Sequence, residues 1–166
     1  TGLICDTGRF QYDNTTPEVF TLARELAAFD LPIGAMNRKL FEEHRLAYLR
    51  LAGAALMRAV YDGDRRFVAT WVTAEDLADH GVVMDETEGL IDLLRRTTEA
   101  DVSCVLKETP EGTKGSLRAV SDFDVGQVAI GFGGGGHKAA AGFVDPRPVP
   151  ELLEAIRQSL PLVAVD

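Results

Sequence analysis

The sequence predicts an α/β fold, a mixed β-sheet flanked by helices. Three observations carry that expectation. Strand-like and helix-like patterns alternate along the 166 residues. Two strand patterns, at 102–108 and 114–120, are joined by Thr109-Pro110-Glu111-Gly112-Thr113, a hairpin signal that makes the sheet mixed rather than wholly parallel. A run of glycines separates a short helix pattern from the last strand pattern.

The elements follow in order. Residues 1–5 read as the end of a buried strand, with Asp6-Thr7-Gly8 as the turn after it. Thr16 is placed to cap a helix, Pro17 suits its first position, and Glu18 complements its dipole. Val19, Leu22, Ala23 and Leu26 then recur on one face until Asp30-Leu31-Pro32. Residues 35–61 are helical by pattern with a break near His44, and Leu46, Leu49, Ala52, Leu56 and Val60 form the stripe expected to face a core. Tyr61-Asp62-Gly63-Asp64 reads as a turn, and 66–73 as a strand. Thr73 and Asp76 have the spacing of a capping box; a second helix covers 87–96. After the hairpin, Asp124 and Gln127 repeat the capping-box spacing and open a helix to about residue 130. A strand at 140–144 and a helix at 150–160 close the chain.

Composition narrows the function classes. Apolar residues make up 46% and charged residues 26%, so a core can form and disorder by composition is excluded. The formal net charge of -9 argues against non-specific binding of long duplex DNA, which needs many basic groups on one face. A short oligonucleotide or nucleotide in a local basic pocket remains compatible. Residues 75–101 hold nine acids against Arg95 and Arg96, whereas 112–144 hold only Asp122 and Asp124 against Lys114, Arg118 and Lys138. An anion is expected in the second stretch. Cys5 and Cys104 each sit in an apolar, strand-like run; they read as buried thiols rather than a disulfide framework, which fits a reducing cytoplasm. No apolar run approaches membrane-spanning length, so no membrane partner is expected. The chain opens at Thr1 directly in an apolar run and reads as the later part of a longer protein.

Gly131-Phe132-Gly133-Gly134-Gly135-Gly136 has glycine at five of six positions, and His137-Lys138 follow at once. Glycines let successive amides approach a bound group and form a nest of partial positive charge. His137 can donate to a phosphate oxygen near neutral pH, and Lys138 adds a point charge. The ending Gly-Lys-Ser/Thr of the Walker loop is absent, and no long helix follows as a dinucleotide fingerprint requires. Ser116 and Arg118 alternate onto one strand face, where a hydroxyl beside a guanidinium makes a phosphate clamp. Asp124 reads as a helix cap, Asp79-His80-Gly81 as a helix terminus, and His44 as a connector or surface residue.

The order Ser116-Leu117-Arg118, Asp124-Val125, then Gly133-Gly134-Gly135-Gly136-His137-Lys138-Ala139-Ala140-Ala141-Gly142-Phe143 resembles the DHH-associated C-terminal domain. Cys5-Asp6-Thr7-Gly8-Arg9-Phe10 with Asn14-Thr15-Thr16-Pro17-Glu18 resembles the last motif of the DHH catalytic domain. The nearest resemblance is to bacterial oligoribonucleases that also act as 3'-phosphoadenosine 5'-phosphate phosphatases, the nanoRNases. It implies a catalytic-domain remnant over residues 1–43, a connector helix over 44–62 and the DHH-associated substrate-binding domain over 63–166. It implies a cytoplasmic hydrolase, a phosphoesterase with a two-metal manganese centre, for which Asp6 supplies one ligand and upstream motifs the others. By itself the chain is then expected to be inactive. The resemblance also implies that Ser116, Arg118, Gly133, Gly134, Gly135, Gly136, His137 and Lys138 bind the end of a short oligoribonucleotide or nucleotide, with a homodimer formed through the upstream domain. Thr87-Glu88-Gly89-Leu90-Ile91 continues as Asp92-Leu93-Leu94, where the family often has Asn-Tyr-Pro. A RecJ-type single-strand exonuclease and a cyclic di-AMP phosphodiesterase are alternatives on the same fold. A non-catalytic nucleotide-binding module, as appended to alanyl-tRNA synthetases, is the alternative of another class.

Overall fold

The computed structural model describes residues 2–12 and 14–163. The chain divides into two units, Thr1–His44 and Arg45–Asp166.

Among its described residues the first unit holds three helices, α1 (Gly2–Asp6), α2 (Pro17–Ala27) and α3 (Ile33–Phe41). The strand expected over residues 1–5 is therefore a helix from Gly2 onward; Thr1 lies outside the described residues. A short apolar run such as Leu3-Ile4-Cys5 suits either state, and only its partners decide. Here the partners are local: the Thr7 and Arg9 amides donate to the Leu3 and Ile4 carbonyls at 3.2 and 2.8 Å. Cys5 is exposed, contrary to its expected burial. Helix α2 begins where Pro17 predicts, although the Thr16 side chain makes no capping bond. Thr7 is the one buried residue among those described here.

The second unit is built on a six-stranded sheet in the order β1-β2-β3-β4-β6-β5, formed by β1 (Val60–Asp62), β2 (Phe67–Val72), β3 (Val102–Thr109), β4 (Gly112–Ala119), β5 (Gly135–His137) and β6 (Ala140–Asp145). β2 and β3 run parallel and the other neighbours antiparallel, so the sheet is mixed as predicted. Among the described residues five α-helices accompany it: α4 (Leu46–Met57), α5 (Ala74–His80), α6 (Leu90–Leu94), α7 (Val125–Gly131) and α8 (Val149–Ser159). The predicted turn at Tyr61-Asp62 is instead the edge strand β1, and the hairpin is tighter than expected, because β3 and β4 pair through Thr109 and Gly112.

Side chains alternate across a strand, so the register sorts the sheet into two faces. One face carries Phe67, Ala69, Cys104, Leu106, Leu117, Ala141 and Phe143, and packs on Val125 and Ala129 of α7 and Leu152 and Ile156 of α8. Cys104 is buried there, and burial pushes its thiol far above the usual range. The opposite face carries Val68, Val72 and Val105, covered by Tyr48, Leu51, Ala52 and Ala55 of α4 and Leu90, Ile91 and Leu94 of α6. Among the described residues, that second cluster takes no member from β4, β5 or β6. The second face is thus roofed at one end and open at the other.

Helix α4 corrects the predicted stripe. It buries Tyr48, Leu51, Ala52 and Ala55, while Leu46, Leu49 and Leu56 are exposed. Apart from the exposed Arg50 the helix is apolar on most sides, so periodicity alone could not choose its inward side.

Candidate functional site

The open face is organised in rungs. Ser103, Arg118, Ala140 and His137 lie side by side across β3, β4, β6 and β5. The next rung is Val105, Ser116, Gly142 and Gly135; the one beyond it is Lys107, Lys114 and Val144. Arg118 and His137 therefore share a face, two strands or roughly 10 Å of backbone apart, with the small Ala140 between them. The Arg118 guanidinium donates through Nη1 to the Leu117 carbonyl at 3.0 Å. Among the described residues no carboxylate pairs with it, and the exposed His137 imidazole makes no side-chain hydrogen bond.

The glycine run is not the open nest that the sequence predicts. Its first part caps α7: the Gly133 amide donates to the Ile130 carbonyl at 3.0 Å and the Gly134 amide to Ala129 at 2.8 Å. Its second part is β5, the edge strand of the sheet. The four glycines answer to different needs. Gly133 has φ +75°, a left-handed backbone that a side chain resists. A Cβ on Gly134 would overlap Gly142 O and Phe143, and one on Gly136 would lie 2.5 Å from Ala140 O. Both are glycine because β6 passes too close for anything larger. Gly135 alone has nothing within 4 Å of its Cβ position at an ordinary φ. It points onto the same face as Ser116 and Arg118, so its vacancy leaves room over that face.

Lys138 does not join this group. It occupies the β5–β6 turn, where its ammonium lies 2.8 Å from Asp122 and its carbonyl accepts the Val125 amide. The ammonium's hydrogen bond and charge hold the Asp122 carboxyl below its usual range. Asp124 is the cap of α7, accepting from the Gly126 and Gln127 amides at 2.9 and 3.2 Å. Only this half of the predicted box forms. At the other predicted box Thr73 and Asp76 bond reciprocally. Gly81, with φ +60°, ends α5 just after His80, as read from Asp79-His80-Gly81.

Sequence reasoning misses Lys107 and its partner Glu88. Lys107 is buried, with its ammonium 3.0 Å from Glu88 Oε1, and the same oxygen lies 3.2 Å from Lys114 Nζ. Burial pulls the Lys107 pKa down against the hold of Glu88; burial also raises Glu88, but the two lysines outweigh it and leave its carboxyl below the usual range. The signal was available: Val105 and Lys107 alternate onto one face, so a lysine on the inward side needed a carboxylate.

Asp6 is exposed at the end of α1, and its carbonyl accepts from Asn14 Nδ2 at 3.0 Å. Among the described residues no group of three or more His, Cys, Asp or Glu side chains could hold a metal ion. The residues present do not fit a two-metal centre. Nor is any described helix long and apolar enough to cross a membrane.

Comparison with known proteins places this geometry. The bifunctional oligoribonuclease and PAP phosphatase NrnA of Thermus thermophilus is 32% identical over 165 residues, 96% of this chain and 49% of its own length. A protein of Streptococcus mutans named as a probable bifunctional oligoribonuclease and PAP phosphatase NrnA is 26% identical over 143 residues, 85% of this chain and 45% of its own. The chain thus spans about half the length of these curated relatives. The crystal structure of an exopolyphosphatase-related protein from Bacteroides fragilis superimposes with a TM-score of 0.89 at 27% identity, covering 96% of this chain and 47% of that one. Residues 64–161, which include every rung of the open face, match the DHHA1 domain, and the chain belongs to that family.

Proposed function

We propose that this chain is the substrate-holding part of a phosphodiesterase acting on short oligoribonucleotides, linear dinucleotides or 3'-phosphoadenosine 5'-phosphate. One observation carries the reading: Arg118 and His137 share a rung of an uncovered sheet face, neither engaged by a carboxylate, beside a floor of Ala140, Gly142 and Gly135. A terminal phosphate seated there gains charge-assisted hydrogen bonds from the guanidinium and a donor from the imidazole. Ser116, one rung along, adds a hydroxyl. The edge strand β5 offers outward backbone groups on the side away from β6. Fixing a chain end in this way positions the adjacent phosphodiester for attack, which is the contribution this half makes to catalysis.

The substrate class is supported by the Thermus relative, named for acting on oligoribonucleotides and PAP, and similar along 96% of this chain. Manganese chemistry is assigned to residues beyond these 166, with Asp6 the single ligand expected from this chain. The test is a calorimetric titration with 5'-phosphorylated diadenylate and with the same dinucleotide dephosphorylated. The phosphorylated form binds roughly tenfold or more tightly, the scale of one charge-assisted contact. Equal affinities reject the reading.

A further inference from the structure

The group Lys107, Glu88 and Lys114 lies on the same sheet side as the Arg118–His137 rung but outside it, with Lys107 buried and Lys114 partly exposed. Two ammonium groups share one carboxylate oxygen, at 3.0 and 3.2 Å, so they compete for a single partner. The two lysines are not equivalent. The Lys107 side chain is 2% exposed and that of Lys114 is 41% exposed. A buried ammonium without its carboxylate is costly, so Lys107 must keep Glu88. Lys114 is bound to the same oxygen by an exposed bridge, which is worth little and is weakened by salt. Of the three groups it is the one an incoming anion can draw away.

Its position gives that anion a place. Lys114, Ser116 and Arg118 are alternate residues of β4 and project from the same face. Lys114 and Arg118 are four residues apart, roughly 13 Å along the strand. A phosphate seated on the Arg118–His137 rung is two rungs away from Lys114. The acids near this cluster are Glu88 itself and Asp85, the latter acting on Lys107 through charge alone.

We propose that Lys114 is a second phosphate contact, held by Glu88 in the free protein and transferred to an internal phosphate of a ligand whose terminal phosphate sits at Arg118 and His137. This rests on the reading of the open face given above. It makes the face discriminate by the number of phosphates along a strand: a ligand with several gains Lys114, and a mononucleotide with one does not. Lys107 then has a positioning role, keeping Glu88 in place whether or not Lys114 is engaged.

The experiment titrates the chain with AMP and with 5'-phosphorylated triadenylate, for the wild type, Lys114→Ala, Lys114→Arg and Arg118→Ala. Lys114→Ala weakens triadenylate binding about fivefold, the scale of an exposed ion pair, and leaves AMP binding unchanged. It also lowers the slope of log affinity against log salt by about 0.7, the loss of one phosphate contact to a single strand. Lys114→Arg retains both affinity and slope. If Lys114→Ala leaves triadenylate binding and its salt slope unaltered while Arg118→Ala weakens both ligands, the second contact is rejected and the terminal site stands. Equal weakening of AMP and triadenylate by Lys114→Ala also rejects it. If the wild type binds neither ligand, both readings fall.

Discussion

Arg118 and His137 stand on one rung of the sheet, on β4 and β5, with β6 and its Ala140 between them. They are 19 positions apart in sequence, and the sheet order β4-β6-β5 is what makes them neighbours across a small residue. If this pair receives a phosphate, removing the guanidinium removes the stronger donor. Arg118→Ala should weaken binding of 5'-phosphorylated diadenylate by about 1.5–3 kcal/mol. Calorimetry measures it, with circular dichroism to confirm the fold; an unchanged dissociation constant contradicts the assignment.

The glycines separate folding from binding. Gly136→Ala puts a Cβ 2.5 Å from Ala140 O at φ +150°, and should cost about 1–3 kcal/mol with a melting temperature several degrees lower. Gly135→Ala meets nothing within 4 Å, so its melting temperature should be unchanged or slightly higher, while ligand affinity falls. Thermal denaturation and titration of both variants check this. A folded Gly136→Ala with wild-type stability would be at odds with the edge-strand geometry.

Stability below pH 4 should depend on Asp76. The two hydrogen bonds from Arg58, both 2.6 Å, hold its carboxyl at about 2 against an ordinary 3.8; burial opposes them, and the Thr73 amide adds to them. A folded-state value below the unfolded one means the ionised form stabilises the fold above about pH 4. That contribution is lost as pH falls from about 4 to about 2. Asp76→Asn should lower stability at neutral pH by roughly 1–2 kcal/mol and flatten the acid limb of the urea midpoint against pH. An acid limb of unaltered slope would contradict the pairing.

Glu88 and Lys107 should respond unequally. Glu88→Ala strands a buried ammonium and should cost about 2 kcal/mol or more. Lys107→Met removes the charge that needs a partner and leaves Glu88 to Lys114, so it should cost less than half as much. Urea unfolding of the two variants measures the difference; equal losses would mean that burial of Lys107 is not what ties Glu88 down.

Much of this was legible in the sequence, and the failures have physical causes. Strand alternation put Ser116 and Arg118 on one face, and the structure agrees. Pro17, Thr73 with Asp76, and Asp124 marked helix starts that formed, because capping is local chemistry. The glycine run is legible only as a site of close approach, not as a nest. Its composition reports close approach by β6, a tertiary fact that a linear pattern does not contain. The helix from Gly2 is not legible because a short apolar run has no period of its own. The inward side of α4 is not legible for a related reason: apart from Arg50, most of its sides are apolar. Lys138, adjacent in sequence to His137, turns to Asp122 instead, since a hairpin turn redirects its side chains.

The most direct measurement is amide chemical-shift mapping on the isotopically labelled chain as 5'-phosphorylated diadenylate is added. The account predicts shifts concentrated at Ser116, Arg118, Gly135 and His137, with the α7 and α8 side of the sheet unmoved. Saturable shifts that leave Arg118 and His137 still, or that gather on the α7–α8 side, would contradict it.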